Sequence, residues 1–223
     1  EPGALEHLNS LVPPEGKVLI VTTSGFSRRG LTGRVVEILG SDRVLVYDQV
    51  TPNPTVDDLD NASIKFKPCQ VSCLIALGGG SVMDTAKIFG VTFLSDLDRP
   101  LAKIFRNNVK NTWSSRLPVI CIPTTSGTGA EVTQFATAWD LKDNKKYSVA
   151  DTLVYPTYAL LDPKLTLSLP KDITLHTALD TISHGLESLW NRNRTSLSSA
   201  FSIQALAMAV EALPVLLRQP DNL

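Results

Sequence analysis

The fold class follows from residues 71–89, VSCLIALGGGSVMDTAKIF, in which a strand pattern becomes a helix pattern across three glycines. The apolar run over 71–77 predicts a buried strand, and the apolar spacing from Ser81 to about Phe93 predicts a helix. A glycine backbone can approach a pyrophosphate closely, and a helix start favours negative charge. We therefore predict a phosphate site formed by Gly79, Gly80 and Ser81, and we count Asp84 among the cofactor-binding residues. The alternative is a tight turn without a ligand, closed by a capping box in which Asp84 lies three residues after Ser81.

Strand and helix patterns alternate through the first two-thirds of the chain, which is typical of an α/β domain with a mainly parallel sheet. The predicted strands are 17–22, 43–47, 71–77, 117–122 and 159–161, and the predicted helices are 31–39, 57–66 and 81–93. After Pro170 helical patterns dominate, and residues 203–217 are expected to form a buried helix. We predict an α/β domain over residues 1–165 and the start of an all-helical domain over residues 166–223.

A second glycine-containing loop, PTTSGTGAE at residues 123–131, also follows a predicted strand. It is rich in hydroxyl groups and backbone amides that suit a sugar-phosphate ligand, and we assign Thr124, Thr125 and Thr128 to ligand binding. A turn rich in helix-capping residues is the structural alternative. Two such loops at the carboxyl ends of neighbouring strands lie where open α/β sheets bind nucleotides, so we predict a dinucleotide-binding domain.

Composition and charge narrow the class of protein. The 223 residues include 21 basic and 22 acidic side chains, which gives no electrostatic reason to expect nucleic acid or an anionic membrane as a partner. No uninterrupted apolar run approaches the ~18–20 residues of a membrane-spanning helix. Three cysteines without a CxxC pair favour a reducing compartment, and we expect a cytoplasmic location. Because the chain opens at Glu1, a targeting segment removed upstream stays an open alternative.

The helical region contains two side chains suited to a divalent metal ion. Asp180 and His184 lie four residues apart on a helix predicted to begin after Pro170, so both project from one face. A carboxylate oxygen and a neutral imidazole nitrogen suit Fe(II) or Zn(II). His176 lies four residues before Asp180, but three such ligands would span about 12 Å of helix, too far for one ion. His176 is therefore expected to be a solvated helix residue.

Three segments, in this order, resemble the iron-containing (group III) alcohol dehydrogenase family. They are GGGSVMDTAK at 78–87, PTTSGTGAEVT at 123–133, and a segment with Asp162, Pro170, Thr177, Asp180 and Glu187 at the family's spacing. The resemblance implies a dehydroquinate synthase-like fold, with an N-terminal α/β domain that binds NAD or NADP and a C-terminal all-helical domain. It also implies a metal, usually Fe(II) and sometimes Zn(II), held by one aspartate and three histidines.

Asp180 and His184 match the first two metal ligands of the family. The other two histidines belong to helices further along the family's chain, whereas no histidine follows His184 here. We therefore expect this chain to be either a fragment of a longer protein or a truncated form with an incomplete metal site.

The resemblance assigns further cofactor contacts to Thr23, Asn53, Lys146 and Thr166. Thr23 stands where the family often has an acidic residue for the ribose 2′-hydroxyl of NAD. A threonine can donate to a 2′-phosphate that a carboxylate would repel, and Arg28 or Arg29 could add positive charge. These features favour NADP over NAD, and the alternative is that the two arginines are solvated loop charges.

The implied activity is hydride transfer between a nicotinamide and a small primary alcohol or its aldehyde, with Asp180 and His184 as catalytic metal ligands. The expected assembly is a homo-oligomer, with a homodimer as the simplest form. Two alternatives stay open: a dehydroquinate-synthase-like lyase, and a truncated nucleotide-binding module without catalysis. The spacing of Asp180 and His184 favours the dehydrogenase over the lyase.

Overall fold

The computed structural model describes residues 1–111 and 113–219, and their contacts divide into two compact units. The first unit consists of Glu1, Gly3–Pro123 and Ala130–Asp162, and the second of Pro2, Thr124–Gly129 and the described residues from Pro163 onward. The division into domains of residues 1–165 and 166–223 stays a prediction.

A five-stranded parallel sheet forms the centre of the first unit. The strands of the chain are β1 (Lys17–Val21), β2 (Val44–Tyr47), β3 (Val71–Gly78), β4 (Val119–Pro123), β5 (Phe135–Asp140), β6 (Lys145–Ala150) and β7 (Tyr158–Ala159). The sheet order is β2-β1-β3-β4-β7, and every neighbouring pair is parallel. β5 and β6 form a separate antiparallel hairpin. The predicted α/β class with a mainly parallel sheet is confirmed, and the central strands β3 and β4 are apolar and buried almost throughout, as parallel strands usually are.

The helices that accompany these strands include all those that the sequence patterns predict. They are α1 (Leu8–Leu11), α2 (Ser24–Arg28), α3 (Leu31–Leu39), α4 (Val56–Phe66), α5 (Gly80–Thr92), α6 (Pro100–Phe105), α7 (Lys171–Trp190) and α8 (Ser196–Arg218). Short 3₁₀ helices occur at Ala4–His7, Ser41–Arg43, Lys67–Cys69, Ala130–Val132, Thr152–Val154 and Pro163–Thr166. The helix predicted over 31–39 has the predicted bounds, and those predicted over 57–66 and 81–93 differ by one residue at their ends.

The sequence patterns do not predict α1, α2, α6 or the hairpin of β5 and β6. The inward positions of β5 are Ala136, Ala138 and Asp140, so the alternation along this strand gives only a weak apolar signal. These small inward side chains let β5 pack against α5. The turn of the hairpin contains Asn144 with φ of 51°, a left-handed conformation that asparagine tolerates better than most residues.

α5 is buried along most of its length, which explains why its sequence lacks a continuous polar face. Its Phe89 stacks on Phe93 with 5.0 Å between ring centroids and meets Tyr47 edge-on at 5.6 Å. Burial of one such large apolar side chain contributes about 1.5–3 kcal/mol. This packing fixes the glycine turn at the start of α5 relative to the sheet.

Lys87 is a charged residue inside this core, with 1% of its surface exposed. Its ammonium group donates to Ala130 O at 2.9 Å, to Thr133 Oγ1 at 3.1 Å and to Phe135 O at 2.5 Å. Burial lowers the pKa of Lys87, and the nearby Asp84 partly offsets that effect. Because its three N–H groups all have acceptors, Lys87 ties α5 to the segment that leads into β5.

Arg106, which follows α6, holds the hairpin to the rest of the first unit. Its guanidinium makes two hydrogen bonds to Asp140, of 2.7 and 2.8 Å, and two to Asp57, of 2.9 and 3.1 Å. Asp140 is 1% exposed, and Asp57 lies in the first turn of α4. These bidentate pairs therefore join α4, α6 and β5, and they hold the pKa of both carboxyl groups below the usual range.

The described part of the second unit is dominated by the packed pair α7 and α8. α8 begins with a capping box, in which the Thr195 hydroxyl accepts from the Ser198 N–H and the Ser198 hydroxyl accepts from the Thr195 N–H. A side chain at Gly185 would lie 2.9 Å from Leu206, so glycine permits the close approach of the two helices.

The expectation of a buried helix over 203–217 was wrong about burial. α8 includes this segment, but Ser202 is the buried residue of the helix, and large apolar side chains such as Phe201 and Met208 are more than 60% exposed in the described chain.

α8 also corrects the expectation that no segment approaches the length of a membrane span. The helix has 23 residues, and its most apolar stretch of 18 residues has a mean hydropathy of 1.8, so by length and composition it could cross a membrane. Gln204, Glu211 and Pro214 interrupt the run in sequence but leave the helix continuous. Length and composition alone are weak evidence for a span, because core helices of globular proteins meet the same criteria.

Candidate functional site

The glycine turn joins β3 directly to α5 in the first unit. β3 ends at Gly78 and α5 begins at Gly80, with Gly79 as the N-cap residue. A Cβ atom at Gly78 would lie 2.7 Å from Val82 Cγ2, so a side chain there would collide with the first turn of the helix. No side chain among the described residues caps the N-terminus of α5. Its first N–H groups are therefore left for a ligand or water, as a phosphate site requires.

The capping box proposed for Ser81 and Asp84 was wrong, because the helix begins one residue earlier than predicted. Asp84 Oδ2 instead accepts a hydrogen bond from the Thr137 N–H at 3.0 Å, and this bond holds β5 against α5. Burial raises the pKa of Asp84, while the Thr137 N–H and the nearby Lys87 act in the opposite direction. The predicted cofactor contacts of Ser81 and Asp84 stay predictions.

Two of the other predicted cofactor residues lie at the same edge of the sheet as the glycine turn. Thr23 follows β1, which is the neighbour of β3, and it forms an isolated bridge with Gln49. Asn53 lies in the loop after β2 with φ of 57°, a left-handed turn position. Lys146 lies instead on β6, with its ammonium 5.6 Å from the centroid of the Trp139 ring. The parallel strands thus bring Thr23, Asn53 and the glycine turn to one edge, where nucleotides bind in such sheets.

The two arginines suggested for a 2′-phosphate lie on and just after the unpredicted helix α2. The Arg28 guanidinium donates to Ser24 Oγ at 3.1 Å, and the Arg29 guanidinium lies 4.7 Å from the centroid of the Phe26 ring. Both arginines are exposed, and each guanidinium contacts a side chain of α2.

The threonine loop, residues 124–129, follows β4 and belongs to the second unit. Thr124 is 1% exposed, and its Oγ1 has no hydrogen-bond partner within residues 1–111 and 113–219. A buried hydroxyl without a partner costs about 1–3 kcal/mol, which a ligand that bonds to it would recover. This orphaned hydroxyl therefore fits a polar ligand at the loop. In contrast, the Thr166 hydroxyl already donates to Pro163 O at 2.8 Å.

Asp180 and His184 lie on one face of α7. The distance from His184 Nε2 to Asp180 Oδ1 is 3.6 Å, and their side chains are 55% and 44% exposed. His176 is exposed on the same helix. An oxygen and a nitrogen at this separation, both open to solvent, fit two positions in the coordination shell of a divalent ion.

Glu187 is a residue of this face to which the sequence reasoning gave no role. Its Oε2 lies 3.7 Å from His184 Nδ1, on the side of the imidazole away from Asp180. Carboxylates in this position orient metal-binding histidines, and the three-residue spacing on a helix could have indicated the contact. Within the residues that the structure describes, no three His, Cys, Asp or Glu side chains come close enough to hold one ion. By themselves, Asp180 and His184 would fill only part of a coordination shell.

The chain belongs to the iron-containing alcohol dehydrogenase family, whose family model matches residues 1–163. It is 32% identical over 215 residues to the choline dehydrogenase of Bacillus subtilis. The matched region covers 93% of this chain and 52% of that relative. The chain thus spans about half the length of this relative.

Two solved structures share the fold of this chain over the part that matches. The sulfoacetaldehyde reductase of Bifidobacterium kashiwanohense, solved in complex with NAD⁺, superposes with a TM-score of 0.92 at 26% identity, over 100% of this chain and 59% of that one. The NADH-dependent butanol dehydrogenase A of Thermotoga maritima gives a TM-score of 0.84 at 27% identity, over 99% and 54% of the two chains.

Proposed function

We propose that this chain belongs to a nicotinamide-dependent alcohol dehydrogenase or aldehyde reductase. In that enzyme it would bind the nucleotide and supply half of the metal ligands. The observation that carries the proposal is the pairing of Asp180 Oδ1 and His184 Nε2 at 3.6 Å on one face of α7, in a chain of this family. The substrate class is a small primary alcohol or the corresponding aldehyde.

The nucleotide is proposed to bind through its phosphates at Gly79, Gly80 and Ser81. The start of α5 offers backbone N–H groups and a favourable dipole to the pyrophosphate. The buried Thr124 hydroxyl, with Thr125 and Thr128 beside it in sequence, would donate to the sugar and phosphate oxygens. Asn53, Lys146 and Thr166 are assigned to the remaining contacts of the cofactor.

Asp180 and His184 are proposed to hold the metal, Fe(II) or Zn(II), with Glu187 orienting the imidazole. A bound ion would act as a Lewis acid on the substrate oxygen. Asp180 would contribute negative charge, and His184 would offer Nε2 to the ion while Glu187 lies on the Nδ1 side of the ring.

The choice between NAD and NADP rests on conflicting indications. Thr23 favours a 2′-phosphate by hydrogen bonding, and Arg28 and Arg29, on and just after the neighbouring helix α2, favour it by charge. The names of the two solved relatives refer to NAD⁺ and NADH. We propose a nicotinamide dinucleotide in general and retain NADP as the prediction from these residues.

To test the proposal, metal binding and catalytic turnover are measured for the native protein and for its variants His184→Asn and His176→Asn. Both changes remove an imidazole from α7, but His176 lies outside the pair. We expect His184→Asn to weaken Fe(II) or Zn(II) binding by at least about tenfold and to abolish alcohol oxidation with either nucleotide. His176→Asn should leave both unchanged.

Equal behaviour of the two histidine variants would reject the metal role of α7. A protein that quenches its tryptophan fluorescence with NADPH or NADH, but holds no metal, would support a non-catalytic nucleotide-binding module instead. Elimination chemistry on a cyclic substrate without net hydride transfer would support the lyase.

A cytoplasmic location and a homo-oligomeric state are further proposals. Cys73 and Cys121 are buried free thiols, and Cys69 is a partly exposed one, as a reducing compartment would maintain. Light scattering of the purified protein measures the oligomeric state, and a monomeric mass would contradict that part of the proposal.

A further inference from the structure

Gly127 of the threonine loop lies against the face of α7 that carries Asp180 and His184. A Cβ atom added at Gly127 would lie 3.0 Å from Thr177 O, 3.2 Å from Thr177 Cβ and 3.4 Å from Asp180 Oδ2. The first two distances are shorter than ordinary van der Waals contacts, and the first is to a backbone atom that cannot rotate away. The loop backbone therefore packs directly on the helix surface beside the aspartate.

Position 127 requires glycine because it packs against α7, and not because of its backbone conformation. Its φ lies outside the left-handed range, whereas Gly129, two residues later, has φ of 61°. An alanine could adopt the backbone angles of Gly127, so the neighbouring helix is what opposes it. The loop would have to move by a few tenths of an ångström to admit the methyl group.

The helix surface under Gly127 is itself fixed. The Thr177 hydroxyl donates to Ile173 O at 3.0 Å, and Thr177 O accepts from the Thr181 hydroxyl at 3.1 Å. Thr177 thus satisfies its polar groups within α7, and its Cβ faces the loop. A rigid surface of this kind transmits a displacement of the loop instead of absorbing it.

The two carboxylate oxygens of Asp180 face different neighbours. Oδ1 lies 3.6 Å from His184 Nε2, and Oδ2 would lie 3.4 Å from a Cβ atom at Gly127. A methyl group at Gly127 would push the loop away from Thr177, and it would therefore change the contact between the loop and the oxygen that does not face the histidine.

We propose that Gly127 is a positioning residue that seats the threonine loop against Asp180, so that nucleotide binding at the loop and metal binding at Asp180 and His184 are energetically coupled. The inference rests on the proposed function, because it takes the loop as a nucleotide contact and the pair as metal ligands. Coupling between two bound ligands is reciprocal, so each should change the affinity of the other by the same factor.

The test uses Co(II) as the probe, because its d–d absorption reports ligand geometry and it accepts the same nitrogen and oxygen donors. Co(II) dissociation constants and spectra are measured for the wild-type protein, Gly127→Ala and Gly33→Ala, with and without saturating NADH or NADPH. Gly33 is the matched control, since a Cβ there meets nothing within 4 Å. We expect Gly127→Ala to weaken Co(II) binding about tenfold and to alter the d–d bands, and Gly33→Ala to match the wild type.

The wild-type protein alone supplies a second readout, which remains valid if Gly127→Ala does not fold. The nucleotide should change its Co(II) dissociation constant by about fivefold or more. Wild-type protein that binds Co(II) with no change on adding nucleotide, or a folded Gly127→Ala with wild-type affinity and spectrum, would overturn the inference and leave the proposed function standing. Wild-type protein that binds no Co(II) would reject the proposed function, and the inference with it.

Discussion

Two buried threonines of this chain differ in how their hydroxyl groups are satisfied. Thr22, at the end of β1, is fully buried and donates to Leu77 O at 2.8 Å. Thr124, at the end of β4, is equally buried but has no hydrogen-bond partner in the described part of the chain. The threonine hydroxyl thus stabilises the fold at Thr22. At Thr124 it destabilises the folded state, and a ligand that bonds to it could remove that penalty.

Replacing each threonine with the isosteric valine separates these roles. We expect Thr22→Val to lower the free energy of unfolding by about 1–3 kcal/mol, because Leu77 O loses its donor. Thr124→Val should raise it by up to about 1 kcal/mol and weaken nucleotide binding. Chemical denaturation and fluorescence titration with NADH and NADPH measure the two quantities. Destabilisation by Thr124→Val with unchanged nucleotide affinity would contradict a ligand role for this hydroxyl.

At the scale of secondary-structure elements, the hairpin of β5 and β6 depends on polar contacts more than on apolar ones. Its inward residues are small, and Arg106, Asp84 and Lys87 provide the bonds that hold β5 and the segment before it in place. Hydrophobic periodicity does not predict such contacts, because they join residues that are 34 to 53 positions apart in sequence. This explains why the patterns predict the parallel strands but not the hairpin.

The Arg106 contacts make the stability of this hairpin dependent on pH. Asp57 and Asp140 have folded-state pKa values below their usual range because of Arg106, so their contribution is complete above the unfolded value and is lost as pH falls through the folded values. We expect Arg106→Met to lower Tm by at least about 5 °C at pH 7, and the difference from wild type to narrow below about pH 4.

Arg34→Met is the control for Arg106→Met, because it removes the exposed ion pair with Glu6. Such surface pairs contribute at most about 1 kcal/mol, so its Tm should change by no more than about 2–4 °C. A difference between Arg106→Met and wild type that stays constant from pH 7 to pH 3 would contradict the ionic explanation.

At the scale of the whole molecule, the architecture is predicted from the sequence more completely than the ligand contacts are. Apolar runs followed by glycine turns predict the parallel sheet and the edge at which Thr23 and the glycine turn meet. The i,i+4 spacing predicts that Asp180 and His184 share a face. The sequence could not reveal the packing of Gly127 on Thr177 or the role of Asp84 in holding β5, because both depend on tertiary contacts between distant segments.

Nucleotide binding should stabilise the whole folded chain. A nucleotide at about 100 times its dissociation constant adds about 2.7 kcal/mol, which corresponds to roughly 5–10 °C in Tm. In Thr23→Asp we expect the shift with NADPH to be lost and the shift with NADH to be retained, because a carboxylate repels the 2′-phosphate. Ser41→Asp, which adds the same charge at an exposed position after α3, should change neither shift. Equal losses with both nucleotides would contradict the position assigned to Thr23.

The three thiols of the chain differ in chemical accessibility. Burial raises the pKa of Cys73 and of Cys121 to about 12, so almost none of either is present as the reactive thiolate near neutral pH, whereas Cys69 is partly exposed. A maleimide dye added to the native protein would therefore attach at Cys69 alone. Cys69 is the last residue of the 3₁₀ helix just before β3, so such a label would report on the first unit. Cys73 and Cys121 would not have to be replaced beforehand.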